Sequence, residues 1–166
     1  MKNGGTARDE RAWEGTDHRR ALGMFLRTDL HRLEAALDGR AWRREVAERL
    51  MHHLRFAAQV RAVYLDGLHP RDEGLRVVLD AIAPGSMNEA LDALGEGTEQ
   101  LIEAIEQAEE ARLHAPVLDP HERGLTVLGH LYDFCRANAM LVEWANGLSK
   151  ADAEAEMEAE ERLLED

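Results

Sequence analysis

A chain of 166 residues, 45% hydrophobic and 32% charged, has the make-up of one folded domain able to bury a single core. Its net charge of -13 at pH 7 argues against nucleic acid and anionic membrane surfaces as partners, since both select for clustered Lys and Arg. No apolar run is long enough to cross a bilayer, "MKNGGTARDE" lacks the apolar stretch of a signal peptide, and Cys135 is the only cysteine. A soluble, cytoplasmic protein without internal disulfides is therefore expected.

Residues 1–15 combine paired glycines and mixed charges with one anchor candidate, Trp13, and read as a flexible leader. From Asp17 onward Leu22, Leu26, Leu30, Leu33 and Leu37 recur at spacings of three and four, and Gly39 supplies a stop. This predicts a first amphipathic helix. A second is expected from about Trp42 to Leu65, with Val46, Leu50, His53, Leu54, Ala57, Val60 and Tyr64 on one face. Gly67, Pro70 and Gly74 break it, and "LRVVLDAIA" allows only a short helix before Pro84 and Gly85.

"SMNE" has the spacing of a capping box at Ser86 and Glu89, opening a third long helix that Pro116 and Pro120 should end by about His114. A fourth is expected from about Glu122 to Leu148. With no alternating strand pattern and no fixed repeat, the fold class is all-α: a four-helix bundle over residues 16–149 with a short extra helix between helices 2 and 3. Residues 150–166 hold two basic and eight acidic side chains, and form either a helical extension or a disordered acidic tail. Leu163 and Leu164 are its candidate docking points.

Sorting polar residues by helical face isolates a few that turn inward. On the fourth helix His130, Phe134, Asn138, Leu141 and Ala145 share a line; on the second, His53 shares one with Leu50, Ala57, Val60 and Tyr64, while His52 turns away. Polar groups on a core-facing line must be paired, hydrated or used. His18, His31, His69, His114 and His121 fall at helix ends or on polar faces and read as surface residues.

With "MHHLRFAAQVRAVYLDGL" as second helix and "TVLGHLYDFCRANAMLVEW" as fourth, residues 17–148 resemble the DinB/YfiT-like four-helix-bundle superfamily. Members often carry three histidines that bind a divalent metal, one from the second helix and two at a spacing of four on the fourth. The resemblance implies His53 as the second-helix ligand. It places the fourth-helix pair at Phe134 and Asn138 in one register, or at His130 and Phe134 in the other. Phe134 has no lone pair to give and Asn is a weak ligand for metals that prefer imidazole, so the regular triad is absent and no cofactor is assigned.

Other constellations are incomplete. Asp133, three residues from His130, falls toward the polar side of its helix, and neither Glu-x-x-His nor His-Glu-x-x-His occurs. The acidic run from Glu103 to Ala111 reads as a solvated face rather than a magnesium site, because no second acidic motif faces it. Ser86 is used as a cap, Ser149 lies at the exit of the domain, and Cys135 reads as a small buried hydrophobe. "LGEG", with Gly95 and Gly97, reads as a weak or kinked point of the third helix, or a place of close approach beside a pocket.

The expected function is a non-catalytic or weakly catalytic small-ligand-binding or stress-associated protein, with a pocket lined by His53, Tyr64, His130, Phe134 and Asn138. One alternative is a divalent-metal-dependent transferase or hydrolase using His53 and His130. Another is an interaction protein that forms a homodimer through one helix face and engages a basic partner through its acidic tail.

Overall fold

The computed structural model describes residues 17–117 and 125–165. The expected leader, His121 and the expected helix start at Glu122 lie outside them. Among the described residues the chain is all-α: α1 (His18–Leu37), α2 (Arg44–Val60) continued by a π-helical turn (Arg61–Leu65), α3 (Glu73–Ala81), α4 (Met87–Gln107), α5 (Glu110–Leu113) and α6 (Val127–Glu165). Helix α1 packs against both α4 and α6, and α2 packs against α4. Among the described residues no helix is long and apolar enough to cross a membrane.

Local chemistry explains most boundaries. The Asp17 carboxylate accepts a hydrogen bond from the Arg20 amide at 3.2 Å and starts α1, and Gly39, at φ 73°, takes the left-handed conformation that lets the chain turn away after Asp38. The Leu22, Leu26, Leu33 and Leu37 side chains it buries are at most 2% exposed. Each stabilises the fold by about 1.5–3 kcal/mol relative to exposure. At α4 the Ser86 hydroxyl accepts from the Glu89 amide at 3.1 Å, and the Glu89 carboxylate accepts from the Gly85 amide at 2.6 Å. Two donors at the helix start are satisfied reciprocally, one residue upstream of the usual box.

Three boundaries differ from the periodicity. Past Val60 the helix widens: the Asp66 amide donates to the Arg61 carbonyl, five residues back, at 3.0 Å. Helix α4 ends at Gln107 instead of running to His114. The Arg19 guanidinium donates to the Ala108 carbonyl and the Glu110 carboxylate, both at 2.5 Å, so a partner from α1 stabilises a break that no Gly or Pro marks. Helix α6 begins at Val127, where Thr126 caps it by accepting from the Gly129 amide at 3.1 Å. Pro116 and Thr126 form an isolated antiparallel bridge just before it.

The core is in two parts. One apolar cluster gathers Leu33, Leu37, Leu50, Leu94 and Leu141; the other gathers Leu22, Leu26, Leu101, Ile102, Ile105 and Phe134. Three buried polar residues, Asp29 on α1, His53 on α2 and Asn138 on α6, occur on their helices where one cluster gives way to the other. Beyond Leu148, α6 continues to Glu165 with its described side chains exposed, including Met157, Leu163 and Leu164.

Candidate pocket at the break in the core

His53 faces inward because it lies three residues after Leu50 and one before Leu54, on the buried stripe of α2. Asn138 occupies the matching line of α6 between Phe134 and Leu141. The two meet: the His53 Nε2–H donates to Asn138 Oδ1 at 2.9 Å, with both residues buried. Phe134 stacks on the imidazole at 5.5 Å between ring centres and an interplanar angle of 22°, and Phe56 also meets Phe134 at 5.5 Å, tilted by 50°. Burial lowers the His53 pKa to about 4, against a smaller upward pull from the Asn138 hydrogen bond and further lowering by Arg49 and His52. The ring is neutral at pH 7, so it donates a hydrogen bond and is a poor proton acceptor near neutrality.

This pair forms the deep end of a cavity of about 640 Å³. Its walls are apolar: Leu54 and Ala58 from α2, Leu75 and Val78 from α3, Leu94 and Leu101 from α4. Exposed Asp66, Glu96 and Gln100 mark its open end, where Arg61 donates to Gln100 Oε1 at 2.7 Å and lies 3.6 Å from Asp66. The π-helical turn supplies Arg61 and Ala62 to this lining, and such turns recur beside functional sites. Helix α3 covers one side with a single buried residue, Leu75, and a hydrogen bond from Arg55 Nε to the Ile82 carbonyl at 3.3 Å.

Gly97 also lines the cavity, and α4 runs through Gly95 and Gly97 without interruption. A Cβ built at Gly97 would meet nothing within 4 Å, so this glycine admits no close packing and leaves space open. Gly97→Ala should therefore raise stability by about 1 kcal/mol through helix propensity alone. Urea denaturation checks this, and a lowered midpoint would show that the space is occupied.

Of the five residues expected in one pocket, His53, Phe134 and Asn138 line the cavity together. Tyr64 and His130 do not line it; their rings meet each other at 4.2 Å, tilted by 43°. The two imidazoles of the metal-dependent alternative thus serve different contacts, and no group of three or more His, Cys, Asp or Glu among the described residues is placed to hold a metal ion. Asp133 is exposed, 3.8 Å from Arg136. His18 departs from the surface reading, because it is part-buried and its Nδ1 lies 2.7 Å from the Tyr132 hydroxyl.

Cys135 is buried, and desolvation with the nearby Asp29 pushes its thiol up to about 12. It packs as a hydrophobe and is not an activated nucleophile. Sequence reasoning missed Asp29, although it sits three residues after Leu26 and one before Leu30, on the buried stripe of α1. Burial raises its carboxyl above the usual range, partly opposed by Arg32 at 3.8 Å. No family model, no curated protein and no solved structure matches the chain.

Proposed function

We propose that this protein binds a small, largely apolar molecule in the cavity between α2, α3 and α4, without transforming it. One observation carries the reading: a cavity of about 640 Å³ reaches from exposed residues to a buried, neutral hydrogen-bonded pair at the division of the core. Protein interiors are close-packed, with few voids larger than a water molecule. A space of ligand size, apolar in its walls and carrying a few polar groups, has the character of a binding site. In this reading the four long helices form a four-helix bundle and the cavity opens on one flank of it. The reading is independent of the DinB/YfiT-like resemblance and of any homodimer or tail partner.

The test uses the neutral dye Nile red, whose fluorescence rises in apolar surroundings. The wild-type protein should bind it saturably. Gly97→Trp, which grows a side chain into open space from the wall of the cavity, should abolish binding while helix content and melting temperature are retained. Absence of dye binding to the wild-type protein, or equal binding by the plugged variant, would sink the proposal.

A further inference from the structure

If the cavity is a ligand site, as proposed above, its deep end also selects the chemistry of the ligand's head. We infer that the ligand enters with a neutral hydrogen-bond-accepting group, of the amide, ester or ketone carbonyl type, foremost, and leaves its apolar body along the walls. The Asn138 oxygen is taken by the His53 Nε2–H at 2.9 Å, which fixes the orientation of the amide. Its NH₂ group has no partner among the described residues, although Asn138 is only 5% exposed and lines the cavity. The NH₂ group is not shut off from that space, so an acceptor that arrives there finds a donor to bond. A carbonyl oxygen does this without bringing a charge.

The deep end offers an anion one neutral amide donor, Asn138, and no positive charge in return for its lost hydration. His53 is held neutral there, with a pKa lowered to about 4, and Asn138 and Phe134 carry no charge. Burying a carboxylate beside neutral groups costs far more than burying a carbonyl. The open end repels it as well, since Asp66, Asp72 and Glu96 line the cavity against one cation among the described residues, Arg61, which is already bonded to Gln100 and near Asp66. An ammonium head would be drawn to that acidic rim, but its hydrogens would meet the amide donors of Asn138 at the deep end.

Octanamide, octanoate and octylamine share one chain and differ only in the head, so calorimetric titration of each into the full-length protein at pH 7 isolates head-group selection. Octanamide should bind at least roughly tenfold more tightly than either charged analogue. The double substitution His53→Leu with Asn138→Leu, which removes both polar partners together, should erase that preference, with circular dichroism checking that the helices are kept. Octanoate or octylamine binding as tightly as the amide, or a preference surviving in the double variant, would overturn the head-group inference and leave the cavity reading intact. Failure of Nile red and all three compounds to bind would instead overturn the cavity reading. Should the double variant not fold, the wild-type ranking of the three compounds decides.

Discussion

Between pH 7 and pH 4 the protein should lose about 3 kcal/mol of stability through His53 alone, because the unfolded chain takes up a proton that the folded chain refuses. In the unfolded state the imidazole titrates at its ordinary 6.5; in the fold, burial holds it to about 4. For a lowered histidine pKa the sign is fixed. The neutral form is favoured by folding, so the contribution is complete above 6.5, declines as the pH falls through that value, and is exhausted near 4.

Arg49 and His52 add to the lowering from the same helix, and among the described residues the only polar contact from another helix is the uncharged Asn138. Carboxylates also take up protons toward pH 4, so the measurement compares urea stability across this range in the wild type and in His53→Leu/Asn138→Leu. Replacing both members with apolar groups strands neither partner. The variant should show a loss smaller by about 3 kcal/mol over this window. Parallel curves for the two proteins would mean that His53 is hydrated and titrates normally.

The parts of the fold that were legible in the sequence are those governed by local chemistry. The leucine spacing of α1, its Gly39 stop, and the Ser86–Glu89 cap of α4 each depend on residues within a few positions, and each is found in the structure. The break at Ala108 depends on Arg19, 89 residues away, and nothing near Ala108 announces it. The same holds for the π-helical turn, whose guanidinium reaches Gln100 on α4. A leucine or arginine pattern shows which face turns inward, but it does not show which partner waits there.

The pocket follows the same division. Inward orientation of His53 and Asn138 was readable from their lines of neighbours, whereas their hydrogen bond across 85 residues was not. His130 and Tyr64 lie on the same lines, and the helical face alone does not separate them from that pair. They sit nearer the other ends of those lines, where they contact each other. Asp29 is hard to read from the sequence, because a carboxylate among leucines is an exception to a strong stripe. Gly97 gave a local irregularity beside a pocket as its signal, and its role is to leave volume empty.

Phe134→Ala should cost about 3–5 kcal/mol, the range for deleting a buried aromatic ring. The ring is 4% exposed, contacts both His53 and Phe56 and lines the cavity, so its removal opens a void continuous with it. That continuity decides a second effect. Water entering the enlarged cavity would rehydrate the imidazole, and burial is the leading cause of its lowered pKa. The His53 pKa in Phe134→Ala should therefore rise from about 4 toward 6.5, and the stability lost between those pH values should shrink with it. Phe134→Leu keeps most of the volume and should retain the low pKa at a smaller cost. NMR titration of the imidazole with urea denaturation in parallel measures both. A large loss of stability with an unmoved pKa would show that the ring only packs, and that the cavity does not bring water to His53.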